Sequence, residues 1–238
     1  MRDFDGLNVV VTGGTGALGT ALVSLLLERG AHCHVPAIDD ADAGRWSLGK
    51  NAGVTVRAGF DLSNETDVER FYAALPGLWA SIHVAGGYAG GPILDTTPVT
   101  ARKMLSTNAM SAFLCCREAV RRMRSGGESD GPPAGGRIVN VAAKPAIVPA
   151  GGVTAYAMSK AAVAALTLSL AEELREEAIW VNAVVPSTMD TPANRAGMPS
   201  ADHAKWPKVA EVAETIAFLA SPTNGSTRGA LVPVYGRT

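Results

Sequence analysis

A tyrosine and a lysine four residues apart, Tyr156 and Lys160, are the side chains in this sequence that are best suited to proton transfer. On a helix, positions i and i+4 share a face, so the phenol and the ammonium can meet. An isolated tyrosine has a pKa of about 10, which is too high for easy proton exchange at neutral pH. A neighbouring positive charge favours the phenolate, so the spacing predicts a lowered pKa for Tyr156 and a role as acid or base.

A glycine-rich segment at residues 12–19 (TGGTGALG) is the second chemical feature, and it lies between an apolar run and a helical one. Glycines let the chain turn tightly and let its backbone approach a pyrophosphate, while the helix that follows offers unpaired N–H groups. The alternative is a turn without a ligand, but the placement between strand and helix favours a dinucleotide site. The expected contacts are Gly13, Thr15, Gly16, Ala17, Leu18 and Gly19.

Acidic residues after the second and third apolar runs are candidate contacts for the adenosine. Asp39 follows the second run, where a carboxylate can hold the ribose hydroxyls, and no Arg or Lys stands at Ile38 to bind a 2′-phosphate. The sequence therefore favours NAD over NADP. Asp61 and Leu62 follow the third run, where Asp61 is either an adenine contact or a helix N-cap.

Apolar, strand-like runs alternate with helical segments along the whole chain. Strands are expected at residues 7–12, 32–38, 54–60, 79–85, 137–142, 180–185 and 230–234, and helices at 17–29, 65–74, 98–124 (with a break), 154–176 and 209–220. This order predicts a doubly wound, Rossmann-type α/β fold, with a parallel sheet of about seven strands covered by helices on both faces. We expect one domain over 1–238, a flexible loop near 125–136 and a substrate lid near 187–208.

The composition is that of an ordinary globular enzyme, with 47% apolar and 18% charged residues. A net charge of −1 gives no reason to expect nucleic acid or an anionic membrane as a partner. Three cysteines form neither a disulfide framework nor a metal-ligand spacing, and the N-terminus has no apolar signal segment, so we expect a cytoplasmic protein without a metal. The most apolar stretch, 161–171, is too short to span a bilayer.

These motifs together resemble the short-chain dehydrogenase/reductase family over essentially the full chain. Besides the glycine turn and the Tyr–Lys pair, the resemblance is carried by Asp61, residues 84–86 (VAG), Asn108, residues 181–183 (VNA) and Pro186. It implies hydride transfer between a nicotinamide cofactor, NAD or NADP, and a small carbonyl or imine substrate.

The resemblance also implies roles for single residues. Tyr156 would donate or accept the proton, and Lys160 would bind the nicotinamide ribose. Asn108 would hold a helix break and a water of the proton relay, and Thr191 would contact the carboxamide. Further implied cofactor contacts are Ala85, Gly86, Gly87, Pro186 and Thr188. The alanine-rich helix after Tyr156 implies a homodimer or homotetramer.

The chain departs from the family at the position of a serine that normally hydrogen-bonds the reacting oxygen. Ala143 stands there, 13 residues before Tyr156. Segments 84–91 and 190–206 resemble an atypical branch, that of dihydropteridine reductase, which also lacks the serine. A quinonoid dihydropterin is an electron-poor imine, so it needs less help from a second hydroxyl. Extended family members carry a second domain, for which this chain is too short.

The remaining substrate-side candidates each have an ordinary structural alternative. They are Ala143, Lys144, Thr154, Ser187 and His203. Thr154 and Ser187 are either replacement hydroxyls or a helix cap and a turn residue, and Lys144 faces either an anionic substrate or solvent. The alternative function is a catalytically impaired sensor or scaffold that binds dinucleotide without turnover.

Overall fold

The structure is a computed structural model that describes residues 2–125 and 135–238, so most of the loop predicted at 125–136 lies outside it. Seven parallel strands form one sheet in the order β3-β2-β1-β4-β5-β6-β7. They are β1 Asn8–Thr12, β2 His32–Pro36, β3 Val54–Arg57, β4 Ala80–His83, β5 Gly136–Val141, β6 Ile179–Pro186 and β7 Leu231–Val234. The strand order reverses between β1 and β4, and the carboxyl ends of parallel strands leave a crevice at such a point.

Helices cover both faces of the sheet, as the alternation of elements predicts. They are α1 Ala17–Glu28, α2 Asp40–Arg45, α3 Glu65–Ala73, α4 Pro98–Met104, α5 Ser111–Ser125, α6 Thr154–Glu173, α7 Pro192–Gly197 and α8 Val209–Ala220. Leu22, Leu26 and Ile216 pack α1 and α8 on one face, and Phe71 and Leu114 pack α3 and α5 on the other. The Rossmann-type fold is therefore confirmed, while the short helices α2 and α7 were not predicted.

The break expected in the helical region after residue 98 is a π-helical stretch at Leu105–Met110, which joins α4 to α5. Thr97 caps α4 as predicted, since its hydroxyl accepts a hydrogen bond of 3.1 Å from the Thr100 amide and Pro98 opens the helix. An extra residue in one helical turn leaves backbone groups unpaired, and such stretches occur often at functional sites.

The long helix α6 is a core helix of this fold. Its 20 residues are apolar and long enough to cross a membrane by length and composition, which the shorter stretch 161–171 did not indicate. One side of the helix is nevertheless buried in the protein, including Ser159, Val163 and Ala164. Burial against the rest of the fold accounts for the apolar residues on that side of α6.

Candidate functional site

A cleft of about 1530 Å³ lies along the carboxyl ends of the strands. It is lined by the turns after β1, β4, β5 and β6, and by the start of α6, which carries Tyr156 and Lys160. The glycine turn and the Tyr–Lys pair, far apart in sequence, therefore face the same space. This is where a parallel sheet with reversed strand order binds its ligand.

The glycine turn is packed too tightly for side chains at two positions. Gly13 has a φ of +64°, which glycine tolerates best. A Cβ added at Gly19 would lie 2.1 Å from the Gly13 carbonyl oxygen. Gly16 is the N-cap of α1 and offers no side-chain cap, so the first N–H groups of α1 stay open to a ligand. All six residues predicted to contact the phosphates line the cleft, and the turn fits a pyrophosphate.

Asp42 lines the cleft beside the phosphate turn, whereas Asp39, the predicted ribose contact, does not line it. The Asp39 carboxylate caps α2 by accepting a hydrogen bond of 2.7 Å from the Asp42 amide, and Asp39 does not line the cleft. The Asp42 carboxylate accepts one of 3.0 Å from the Thr15 hydroxyl, beside the phosphate turn. The short helix α2 therefore brings a later acid into the cleft.

Asp61 and Leu62 both line the cleft, as predicted. The Asp61 carboxylate accepts hydrogen bonds from the Ser63 amide at 2.9 Å and the Ser63 hydroxyl at 2.8 Å. The cap of α3 is instead Asn64, whose side chain accepts from the Asp67 amide. The helix-cap interpretation of Asp61 was therefore wrong.

Tyr156 and Lys160 both line the cleft, but the pKa of Tyr156 shifts against the predicted direction. Burial, with a smaller contribution from the nearby Tyr88 phenol, raises it to about 12. Lys160 is itself buried, which lowers its pKa to about 8, and its ammonium donates a hydrogen bond of 2.8 Å to the Val141 carbonyl oxygen. Because desolvation disfavours both charged forms, the spacing of the pair alone gave the wrong sign.

Asn108 lies at the centre of the π-helical stretch and is only 1% exposed. Its amide oxygen accepts a hydrogen bond of 2.8 Å from the Gly87 N–H, and its amide nitrogen donates one of 3.0 Å to the Gly87 carbonyl. The same nitrogen donates to Ser159, next to Lys160 on α6. A side chain at Gly86 would start 2.7 Å from the Asn108 oxygen and 3.2 Å from the Lys160 amine. Asn108 thus fastens the cofactor-side loop to the catalytic helix.

Ala143, at the sequence position of the expected serine, faces the cleft. Ala143 is buried and lines the cleft. Of the two replacement hydroxyls considered, Thr154 does not line the cleft, and the Ser187 hydroxyl donates to the Tyr235 carbonyl at 2.9 Å. Lys144 does line the cleft, with its ammonium 5.0 Å from the centre of the Tyr235 ring.

The segment predicted as a lid contains α7 and a short 3-10 turn at His203–Lys205. The Asp190 carboxylate accepts from the guanidinium of Arg195 and from the ammonium of Lys208, both at 2.5 Å, and these partners hold the pKa of Asp190 well below its usual range. We call these three residues the lid clamp. Lining the cleft from this segment and the end of β6 are Pro186, Ser187, Thr188 and Thr191, as predicted.

His203 is placed away from the cleft, against the prediction that it meets the substrate. Its ring nitrogen Nε2 lies 2.8 Å from the Met198 carbonyl oxygen, and its ring packs 4.6 Å from that of Trp206. Trp206 lines the cleft instead. His203 therefore packs against a residue that lines the cleft.

Several lining residues escaped sequence analysis. They are Tyr88, Val148, Pro149, Val153, Met189, Asn194, Met198 and Trp206. Tyr88 lies in the segment 84–91 that resembles the glycine-rich loop of dihydropteridine reductase, so its position carried a signal. Met189, Asn194, Met198 and Trp206 lie in the segment predicted as a lid, which also carried a signal. Val148, Pro149 and Val153 had none, because a valine or proline in a loop looks the same in sequence whether it lines a cleft or packs in the core.

Comparison with known proteins gives matches in sequence and in fold over most of the chain. The profile of the short chain dehydrogenase family matches residues 7–200. Galactitol 2-dehydrogenase of Rhizobium johnstonii is 34% identical over 249 residues, covering 97% of this chain and 94% of that protein. A short-chain type dehydrogenase/reductase from Mycobacterium ulcerans superimposes with a TM-score of 0.87 at 24% identity, covering 98% of this chain and 90% of the other. ElxO with NADP bound gives a TM-score of 0.86 at 21% identity, over 97% and 98% of the two chains.

Proposed function

The chain belongs to the short-chain dehydrogenase family and is an NAD(P)-dependent oxidoreductase, and we propose that its substrate is a small conjugated carbonyl or imine. A quinonoid dihydropterin is the first compound to test. The supporting observation is that Tyr156 and Lys160 face the cleft while alanine stands at position 143. An electron-poor conjugated imine accepts hydride with less stabilisation from a hydroxyl donor than an ordinary ketone needs.

When bound, the nicotinamide of the cofactor supplies or accepts the hydride. The chain's own residues then handle the proton. With a pKa of about 12, Tyr156 is protonated at neutral pH and ready to donate to a nitrogen or oxygen of the substrate. The charge of Lys160 stabilises the phenolate left behind. Asn108 holds the loop at Gly87 next to helix α6.

Cofactor preference is proposed to be for NAD, and the supporting residue is Asp42. Its carboxylate stands beside Thr15 in the part of the cleft that also contains Ile38. A negative charge there accepts hydrogen bonds from ribose hydroxyls and repels a 2′-phosphate. Asp39 adds negative charge nearby while its carboxylate caps α2.

The protein is further proposed to act as a single dinucleotide-binding domain that assembles into a homodimer or homotetramer. An apolar groove of about 500 Å³ supports assembly, since a water-exposed surface of this kind is usually covered. It is lined by Leu105, Ser106, Ala109, Met110, Phe113, Ala162 and Leu166, from the π-helical stretch, α5 and α6. Three free, buried cysteines fit the cytoplasmic location that we expect.

The test of the substrate is reduction of quinonoid dihydropterin, generated in the assay and followed through loss of NADH or NADPH absorbance. Turnover with at least one coenzyme is expected. Failure with both, together with reduction of plain ketones or oxidation of polyols, would remove the pterin part of the proposal and leave the oxidoreductase class intact.

The sensor alternative is tested with Tyr156→Phe. An enzyme loses turnover in this variant and keeps coenzyme binding, because the phenylalanine preserves the shape of the ring but has no proton to give. A dinucleotide sensor shows no turnover before the substitution either, and its binding response is unchanged by it.

A further inference from the structure

The expected serine is absent, and the ring of another tyrosine, Tyr88, lies against that of Tyr156 in the cleft. Tyr88 and Tyr156 pack edge to face, with ring centroids 5.1 Å apart and planes at 69°. Both line the cleft. Tyr88 is 68% exposed, so the residue is open to contact with a bound molecule.

The loop around Tyr88 is held against the segment that leads into α6. The Gly91 amide donates a hydrogen bond of 2.7 Å to the Gly152 carbonyl, four residues before Tyr156. A side chain at Gly90 would start 2.5 Å from the Tyr88 phenol oxygen and 3.2 Å from that carbonyl. The glycine therefore leaves space for the phenol, and the hydrogen bond keeps the loop beside the catalytic helix.

The other hydroxyls near position 143 are engaged or displaced. Ser187 donates to the Tyr235 carbonyl, and Ser111, which also lines the cleft, donates to the Thr107 carbonyl at 2.6 Å. Thr154 does not line the cleft. Thr188 and Thr191 lie beyond Pro186, where the cofactor is expected. Tyr88, which lines the cleft and packs against Tyr156, is therefore our candidate for the replacement hydroxyl.

We infer that Tyr88 is a substrate-binding residue whose hydroxyl takes over from the missing serine, donating a hydrogen bond to the atom of the substrate that Tyr156 protonates. The inference rests on the proposed reduction at Tyr156, for either a pterin or a ketone. In that reaction the substrate gains a hydride from the coenzyme and a proton from Tyr156, and Tyr88 donates its hydrogen bond without giving up its proton. The negative charge that develops on the accepting atom strengthens this bond in the transition state.

The test removes the hydroxyl with Tyr88→Phe and restores one with Ala143→Ser. Steady-state turnover is measured with quinonoid dihydropterin or, where this is not reduced, with an aromatic ortho-quinone as probe. Tyr88→Phe is expected to lower kcat about 10- to 100-fold with little change in KM, since the interaction strengthens in the transition state. The double variant Tyr88→Phe/Ala143→Ser is expected to recover most of the loss. Tyr235→Phe, which removes a phenol outside the cleft lining, serves as the matched control and should leave kcat unchanged.

NADH binding, followed by fluorescence, separates a structural effect from the proposed one, because Tyr88→Phe should bind the coenzyme as tightly as the original protein. Unchanged kcat in Tyr88→Phe overturns the inference, as does a loss that Ala143→Ser does not relieve. Failure of the proposed function has a different signature, namely turnover that survives Tyr156→Phe or is absent from the original protein with every probe.

Discussion

The ammonium of Lys160 on α6 donates its hydrogen bond to the carbonyl oxygen of Val141, the last residue of β5. This bond joins the catalytic helix to the strand end that leads into Ala143. It also places a positive charge in a buried position, where desolvation lowers the pKa of Lys160 to about 8. The buried charge of Lys160 therefore carries a cost in stability.

The pH dependence of stability should report this cost. The folded-state pKa of Lys160 is about 8 against a reference value of 10.5, so the unfolded chain binds its proton more tightly between these values. Stability from this group consequently rises with pH across that window. Relative to Lys160→Met, the free energy of unfolding of the original protein should rise by about 3 kcal/mol from neutral pH to above the upper value. Urea unfolding over this pH range measures it, and parallel profiles of the two proteins would contradict it.

Gly19→Ala should weaken coenzyme binding. The added Cβ would lie 2.1 Å from the Gly13 carbonyl oxygen and 2.6 Å from the Gly14 Cα, so the phosphate turn must open. NADH titration by calorimetry is expected to show at least about a tenfold loss of affinity. Gly44→Ala is the matched control, because nothing lies within 4 Å of its Cβ position in α2. It should bind normally, and equal behaviour of the two variants would disprove the packing argument.

Asp42→Asn should shift coenzyme preference toward NADPH. Removing one negative charge near the expected 2′-phosphate should improve kcat/KM for NADPH relative to NADH by about tenfold. Asp40→Asn removes an equal charge from the exposed side of the same first turn of α2 and is the control. Steady-state kinetics with both coenzymes gives the ratio. The assignment of Asp42 is wrong if both variants shift the ratio equally.

Phe113→Glu should dissociate the proposed oligomer. Phe113 is 45% exposed and lines the apolar groove beside α6, so a carboxylate there would be buried in any interface that covers the groove. Light scattering should show a reduced mass. Phe218→Glu, at a phenylalanine 50% exposed on α8, should leave the mass unchanged. A monomeric original protein would refute the oligomer directly.

Much of the fold was readable from sequence because it depends on local order. Alternating strands and helices predict a parallel sheet. The predicted strand ends differ from the observed ones by a few residues only; β2, for example, was expected to reach Ile38 and ends at Pro36. Thr97 and Pro98 predicted the start of α4 correctly, since a cap and its first turn are one continuous piece of chain.

The details of the site depended on contacts that sequence does not record. We predicted that the Asp39 carboxylate holds a ribose. In the structure it caps α2 by accepting a hydrogen bond from the Asp42 amide, and this cap exists only because α2 forms. The pKa of Tyr156 was given the wrong sign, because burial depends on elements far away in the chain. Ala143 was the informative position, as a missing hydroxyl is visible without coordinates.

The lid clamp restrains the segment that we predict to be a lid. The Asp190 carboxylate forms ion pairs with Arg195, within the segment, and with Lys208, at its far end. Both ends of the segment 191–207 are therefore held close to the Asp190 carboxylate. Because Arg195 and Lys208 are half exposed, we expect high salt to weaken both ion pairs and so to loosen this segment.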